Sequence, residues 1–186
     1  GDSCCALPPF TLAENIVAEV EESTRAMAAE LDVRGLINVQ YAVRSDTVYV
    51  LEVNPRASRT VPFVAKATGV PWAKLAAKVM AGMSLAEMDV TEPPRPPQTS
   101  VKESVFPFTK FPGVDVILGP EMRSTGEVMG TDRTFAEAML NSQLGAGSKL
   151  PTKGNVVLSV KNADKARAVK IASDLVNLGF TLSATK

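Results

Sequence analysis

The sequence contains no histidine, only two cysteines and no excess of charge of either sign. Its 20 basic and 20 acidic residues balance, which argues against nucleic acid or a membrane surface as a partner. No apolar run approaches the ~20 residues that a membrane-spanning helix needs. Cys4 and Cys5 are adjacent, which argues against a disulfide framework and favours a reducing, cytoplasmic location. We interpret them as buried structural thiols, with a redox-active pair as the alternative.

The length and the two ends of the chain indicate part of a larger protein. A chain of 186 residues with 45% apolar residues has room for one packed domain or for parts of two. The sequence begins at Gly1 without a charged-then-apolar leader, so no targeting signal is visible. It ends at Lys186 directly after an apparent strand. We therefore expect a fragment of a longer polypeptide.

A β-hairpin is the clearest feature of the first half. Residues 35–43 and 48–56 each alternate apolar and polar side chains with the period of two that is typical of strands. One face carries the large apolar groups. The opposite face is unusual because it carries Gln40 on the first strand and Glu52 and Asn54 on the second.

The length of the turn decides whether these polar groups meet. A turn at residues 45–46 would pair Gln40 with Leu51 and mix the two faces. A three-residue loop at residues 45–47 pairs Gln40 with Glu52 and sorts the apolar groups onto one side. We predict the three-residue loop. The further pairs that it implies are Asn38 with Asn54 and Tyr41 with Leu51.

The polar face has the composition of a site for a hard cation. One carboxylate flanked by side-chain amides provides oxygen ligands of the kind that Mg²⁺ prefers. The protein charge is too small to hold the metal alone, so we expect anionic phosphates to complete the shell. Arg56 and Arg59 follow closely, and guanidinium groups suit phosphate oxygens. The alternative is an ordinary solvated sheet face.

Several motifs in order resemble one known family. Glu52-Val53-Asn54-Pro55-Arg56 is followed by SRTVPF at 58–63, KATGVP at 66–71, KFPGVD at 110–115 and GPEMRSTGEVMG at 119–130. Together they resemble the end of an ATP-grasp domain. More specifically, they are similar to the second, carbamoyl-phosphate-forming half of the carbamoyl-phosphate synthetase large subunit. The resemblance covers almost the whole chain.

The resemblance implies an α/β fold in which an ATP-grasp C-terminal lobe with antiparallel strands precedes a truncated βαβ unit of a parallel-sheet domain. It assigns residues 1–90 to the ATP-grasp domain. Residues 91–147 become a proline-rich connector with the rest of the synthetic domain, and residues 148–186 the start of a methylglyoxal-synthase-like allosteric domain. Within 148–186, a strand, a helix and a strand in succession independently predict a βαβ unit.

Other local patterns predict individual elements. Thr11 and Glu14 have capping-box spacing at the start of a helix over 12–31. Residues 123–127 read as a strand whose arginine and hydroxyls suit an anion, although a structural role is favoured. The further predicted elements are helices at 61–67, 72–80, 134–144 and 163–178, and strands at 101–106, 155–160 and 180–184.

The activity that the resemblance implies is phosphorylation of carbamate by ATP to give carbamoyl phosphate and ADP. Glu52 would bridge a pair of Mg²⁺ or Mn²⁺ ions on ATP, with amide oxygens from Gln40 and Asn54. Arg59, with Arg56, would neutralise charge on the transferred group. Phosphoryl transfer relies on positioning rather than on a protein nucleophile, so the absence of histidine is no obstacle. The resemblance also admits K⁺.

The resemblance further implies partners and effectors. The expected partners are bicarbonate and a glutaminase small subunit, without nucleic acid or membrane. The full-length enzyme would form oligomers in the cytoplasm and serve pyrimidine and arginine biosynthesis. A phosphorylated nucleotide effector would bind at Ser159, Lys165 and Thr185, where hydroxyls and an ammonium lie near a helix start. Ornithine would bind through the carboxylates of Asp2 and Glu103.

Two alternatives remain. One is another ATP-grasp ligase, such as a biotin-dependent carboxylase, which shares the Glu-x-Asn-x-Arg pattern. The other is a non-catalytic regulatory module in which the proline-rich tract and the βαβ unit bind a phosphorylated effector. If the chain is part of an ATP-grasp enzyme, the lobe that covers the nucleotide would precede Gly1. We therefore expect the fragment alone to be inactive.

Overall fold

A computed structural model describes residues 2–90, 92 and 95–185. The chain divides into two compact units, with the boundary between Gly147 and Ser148. The third segment predicted from the sequence also begins at residue 148. The predicted boundary at residues 90 and 91 stays a prediction, and much of the proline-rich tract (Thr91, Pro93 and Pro94) lies outside the described residues.

The first unit contains four helices and five strands among its described residues. The helices are α1 (Glu14–Glu30), α2 (Val61–Thr68), α3 (Trp72–Met80) and α4 (Phe135–Gly145). The strands are β1 (Cys5–Leu7), β2 (Asn38–Arg44), β3 (Thr47–Asn54), β4 (Thr99–Val105) and β5 (Gly126–Asp132). β2 and β3 form the hairpin, while β1, β4 and β5 form an antiparallel sheet in the order β1-β4-β5.

Part of the core of the first unit lies between this sheet and α4. Val101 on β4 and Ala138 on α4 are both 0% exposed. Gly130 on β5 lets the two elements approach closely, because a Cβ there would lie 2.2 Å from the carbonyl oxygen of Ala138 and from the amide nitrogen of Ser142. The absence of a side chain at Gly130 therefore sets the spacing between helix and sheet.

The hairpin corrects the predicted turn. Arg44 pairs with Thr47, and Ser45 and Asp46 have φ of 47° and 64°, so the turn has two residues, both in the left-handed region that type I′ turns require. The three-residue loop is therefore wrong. Tyr41 pairs with Val50 instead of Leu51, because a β-bulge shifts the register between Gln40 and Tyr41.

The second unit confirms the predicted βαβ arrangement. β6 (Asn155–Leu158) and β7 (Thr181–Ala184) pair in parallel, and α5 (Lys165–Asn177) connects them. The helix begins at Lys165 and not at Ala163, because residues 162–164 form a 3₁₀ turn first. The mixture of an antiparallel sheet with a parallel strand pair confirms the predicted fold class.

Three local predictions are wrong. Thr11 does not cap α1: the helix begins at Glu14 after an extended Ala13, and no side chain caps it. The strand predicted at 123–127 begins only at Gly126, because the preceding backbone turns to bond Asp2. The cysteines are not both buried, since Cys4 precedes the edge strand β1 and is exposed, while Cys5 is half-buried. Among the described residues, no helix is both long and apolar enough to cross a membrane.

Candidate functional site

The hairpin brings the three predicted metal ligands onto one face. Gln40 lies directly opposite Glu52, and Asn38 lies opposite Asn54. Opposed residues of an antiparallel pair have Cβ atoms only ~4.5–5.5 Å apart and point to the same side of the sheet. Gln40 and Glu52 are exposed and Asn54 is half-buried. The predicted pairing of Gln40 with Glu52 is therefore confirmed, although the turn that was expected to produce it is not.

The bulge produces this arrangement. With a two-residue turn and an uninterrupted ladder, Gln40 would face Leu51, and Glu52 would point to the other side of the hairpin. Leu51 is instead the extra residue of the bulge, and its side chain is 63% exposed. Bulges commonly redirect a side chain next to a functional site. Here the bulge turns the Glu52 carboxylate onto the face that Gln40 occupies.

A hydrogen bond orients the carboxylate and one amide. The side-chain nitrogen of Asn54 donates to Oε1 of Glu52 over 2.8 Å. Because an amide nitrogen donates and its oxygen only accepts, this bond directs the Oδ1 atom of Asn54 away from the carboxylate. The hydrogen bond thus uses neither the Oδ1 atom of Asn54 nor the second carboxylate oxygen of Glu52, and both atoms are suited to bind a cation.

The donor set fits a cation that arrives with its own anions. Among the described residues, no group of three or more His, Cys, Asp or Glu side chains is placed to hold a metal. One carboxylate with two amides gives oxygen ligands and a single negative charge, which fits Mg²⁺ or Mn²⁺ bound to phosphates better than a bare ion. The residues present therefore fit a metal–nucleotide complex.

The two predicted arginines lie close by along the chain. The backbone N–H of Arg56 donates to the carbonyl of Asn54 over 2.8 Å, which turns the chain immediately after β3. The Arg56 guanidinium donates to the carbonyl of Ala57 over 3.0 Å and is exposed. Arg59 is also exposed, three residues further on, just before α2 begins.

Arg59 lines an open cavity that the sequence did not reveal. The cavity has a volume of about 380 Å³ and lies between the start of α2 and the start of β5. Its lining consists of Arg59, Pro62, Met122, Ser124, Thr125, Gly126 and Glu127. The only signal in the sequence was the group of hydroxyls in 123–127, which was interpreted as structural. One guanidinium and one carboxylate are the charged groups of this lining.

Comparison with known proteins finds similarity to one family. Residues 1–88 match a family model described as the carbamoyl-phosphate synthase L chain, ATP binding domain. The carbamoyl phosphate synthase large chain of Ralstonia nicotianae is 57% identical over 190 aligned residues, and that of Haemophilus ducreyi is 58% identical over 185. Both alignments include 100% of this chain. Over its whole length, the chain is similar to these carbamoyl phosphate synthase large chains. It spans 18% and 17% of the lengths of these two relatives.

Solved structures of low sequence identity share the fold of this chain. A single-chain, multi-domain long-chain acyl-CoA carboxylase matches with a TM-score of 0.60 and 18% identity, over 76% of this chain and 18% of that one. The biotin carboxylase domain of a single-chain bacterial carboxylase matches with a TM-score of 0.53 and 20% identity, over 70% of this chain and 36% of that one. At such low identity these matches support the ATP-grasp-type fold alone.

The two carboxylates predicted to bind ornithine each have protein partners in this segment. Asp2 accepts hydrogen bonds from the backbone N–H groups of Arg123, over 2.6 Å, and Ser124, over 2.8 Å. Hydrogen bonds, first from the side chain of Ser124 and then from the backbone of Arg123, lower the pKa of Asp2. Glu103 accepts from the side chain of Gln143 over 2.8 Å. Their predicted role in effector binding stays a prediction.

In the second unit, two of the three residues predicted to bind a phosphorylated effector meet. The hydroxyls of Ser159 and Thr185 are 3.2 Å apart, just beyond the carboxyl ends of β6 and β7. The backbone N–H of Thr185 donates to the carbonyl of Leu158 over 3.1 Å, which extends the strand pairing to this point. Lys165 is the first residue of α5. Carboxyl ends of parallel strands are common sites for ligands.

Proposed function

We propose that this segment supplies the metal- and phosphate-binding corner of an ATP-dependent synthetase that phosphorylates carbamate to carbamoyl phosphate. The observation that carries the proposal is the opposition of Gln40 and Glu52, with Asn54 bonded to Glu52 on the same face. This is the donor set that a metal-bound nucleotide needs. The similarity to large chains of carbamoyl phosphate synthase supports the choice of reaction.

A bound pair of Mg²⁺ or Mn²⁺ ions would neutralise charge on the β- and γ-phosphates of ATP. Glu52 would contribute the one formal negative charge of the protein site and bridge the ions. Gln40 and Asn54 would each contribute an amide oxygen. Because Asn54 donates its N–H to Glu52, the two residues hold each other in place before the nucleotide binds.

The arginines would act on the transferred phosphoryl group. Its transition state spreads negative charge over oxygens without a covalent bond to the protein, so positioning and charge neutralisation provide most of the catalysis. Arg59 is assigned to that charge, with Arg56 as the second candidate. A sequence without histidine is compatible with this chemistry, because no protein nucleophile has to attack phosphorus.

The finer assignments rest on the family resemblance. We infer bicarbonate as the source of carbamate, a glutaminase small subunit as the source of ammonia, K⁺ as a further cation, and a place in pyrimidine and arginine biosynthesis in the cytoplasm. Ser159, Thr185 and Lys165 would hold a phosphorylated nucleotide effector. Asp2 and Glu103 would hold ornithine in the full-length enzyme, after exchanging the protein partners described above.

The proposal is tested in a full-length large chain. The corresponding region of the Ralstonia nicotianae relative would be replaced by this segment, and formation of carbamoyl phosphate from ATP, bicarbonate and ammonia would be measured. Glu52→Gln should abolish formation, because it removes the charge of the bridging ligand with little change in shape. Glu22→Gln, which removes the same charge from an exposed position on α1, should leave the rate unchanged. Near-normal activity of Glu52→Gln would contradict the assignment.

A further inference from the structure

Lys102 is a buried cation in the middle strand of the sheet. Its side chain is only 3% exposed, and its Nζ atom lies 3.1 Å from Oε1 of Glu127, whose side chain is 23% exposed. Cys5 and Met129 are its neighbours on the two adjoining strands. A buried ammonium is costly unless it is paired, so this contact determines where the Glu127 carboxylate lies.

The geometry fixes the contact on one face of the sheet. Ser104 pairs with Glu127, and Lys102 pairs with Met129, so Lys102 and Glu127 are diagonal neighbours on the same side. Val101 pairs with Gly130, which contacts α4, so α4 covers the opposite side. The ion pair is therefore separate from the hydrophobic packing between the sheet and α4.

Glu127 lines the same cavity as Arg59, whereas Lys102 is not among the lining residues. The carboxylate of Glu127 by itself would repel an anion and cancel the attraction of the Arg59 guanidinium. The ammonium of Lys102 reaches Glu127 from within the sheet and balances that charge. With Lys102 present, the three groups together carry one net positive charge.

We propose that Lys102 is a positioning residue that keeps the Arg59 cavity competent to bind a small oxyanion. It does so by compensating and holding the carboxylate of Glu127. This inference rests on the proposed function of Arg59 as a group that neutralises anionic charge. It identifies the class of ligand as a compact oxyanion, such as phosphate or a carboxylate-sized anion, that enters the cavity beside Thr125 and Glu127.

The net charge of Arg59, Glu127 and Lys102 in each variant distinguishes a positioning role of Lys102 from a purely structural one. The net charge of the three groups is one positive in the wild type, zero in Lys102→Met, two positive in Glu127→Gln and one positive in the double variant. A unit charge ~6 Å from an anion, at an effective dielectric constant of ~40, changes affinity about tenfold. A purely structural pair predicts no such order, because methionine preserves the apolar stem of lysine.

The experiment is a titration of the isotopically labelled chain with inorganic phosphate, without metal, followed by NMR of the Ser124, Thr125 and Glu127 amides and the Arg59 side chain. Lys102→Met should bind about tenfold more weakly than the wild type, Glu127→Gln more tightly, and the double variant about as well as the wild type. Lys78→Met, at an exposed lysine on α3, is the control and should bind as the wild type does.

Three results would overturn the role of Lys102, and one of them would also overturn that of Arg59. Equal affinity of folded Lys102→Met and wild type would overturn the role of Lys102 while leaving that of Arg59. If Lys102→Met does not fold, the comparison moves to Glu127→Gln and the double variant, and equal affinity of these two would overturn the inference. A wild type without phosphate-dependent shifts at the cavity would overturn the inference together with the role of Arg59. None of these results bears on the metal ligands of the hairpin, which are tested with metal.

Discussion

Gly130→Ala should destabilise the first unit strongly, because the added methyl group has no room. An ideal Cβ at this position would lie 2.2 Å from the carbonyl oxygen of Ala138 and from the amide nitrogen of Ser142, and 2.8 Å from the carbonyl carbon of Asn141. All three atoms belong to the backbone of α4. A flexible side chain could rotate out of the way, but a helix backbone can only move as a unit.

The magnitude follows from what that movement would disturb. Ordinary van der Waals contact would require α4 to retreat from β5 by more than ~1 Å, which would open the packing around Val101 and Ala138. Both residues are 0% exposed. Overpacking typically costs about 1–3 kcal/mol, and a clash with backbone belongs at the upper end of that range. A loss of about 3 kcal/mol corresponds to a decrease in Tm of about 6–12 °C for a protein of this size.

The assay is urea unfolding followed by the fluorescence of Trp72, which is the only tryptophan and lies on α3 of the same unit. Gly126→Ala is the matched control, because it lies on the same strand and its Cβ would meet nothing within 4 Å. The control should change the free energy of unfolding by less than about 0.5 kcal/mol. If Gly130→Ala is as stable as Gly126→Ala, the described approach of α4 to β5 is wrong.

Three further predictions concern local contacts. Thr134→Ala should lower the free energy of unfolding by about 1 kcal/mol, because the Thr134 hydroxyl accepts from the N–H of Glu137 at the start of α4. Thr11→Ala should leave the free energy of unfolding almost unchanged, because α1 lacks a side-chain cap. The hydrogen bonds that lower the pKa of Asp2 stabilise the fold at pH values above 3.8, the usual pKa of an aspartate. This contribution should be lost as the pH falls through the lowered pKa. Asp2→Asn should therefore flatten the acid limb of the stability curve, and an unchanged acid limb would count against the contact. Partial burial is the main cause that raises the pKa of the half-buried Cys5, so its alkylation at pH 8, measured by mass spectrometry, should be slower than that of a free thiol.

Elements with a strong local signal could be predicted from the sequence. α2 ends where Gly69 adopts the left-handed conformation with φ of 72°, and a glycine after an apolar helical run is a reliable stop signal. The parallel βαβ unit followed from two short apolar runs around one amphipathic segment. In each of these cases the determining residues are neighbours in the chain, so no tertiary contact was needed to predict the element.

The hairpin shows both the strength and the limit of such reasoning. The demand that apolar groups share one face set Gln40 against Glu52, and the structure has this pair. The complete sorting of apolar groups is wrong, because Tyr49 pairs with Ala42 and so lies on the face of Gln40. The demand does not say where an extra residue is accommodated. The chain places the extra residue at Leu51, in a bulge, because Ser45 and Asp46 accept the positive φ of a two-residue turn.

The Arg59 cavity and the buried Lys102 depended on distant contacts. In the sequence, Lys102 has the pattern of an ordinary polar position in a strand. Its partner Glu127 lies 25 residues away and comes beside it only when β5 pairs with β4. The strand β1 was missed for the same reason: Cys5–Leu7 is too short to show a pattern, and it becomes a strand only by pairing with β4. Sequence periodicity carries no information about such pairings.

The central claim is that Gln40, Glu52 and Asn54 converge on the cation that accompanies ATP. The most direct test is paramagnetic broadening of amide NMR signals in the labelled chain by Mn²⁺ in the presence of ATP. We expect broadening centred on these three residues in the wild type and in Glu22→Gln, and its loss in Glu52→Gln. An unchanged broadening pattern in Glu52→Gln, or broadening centred outside β2 and β3, would contradict the claim.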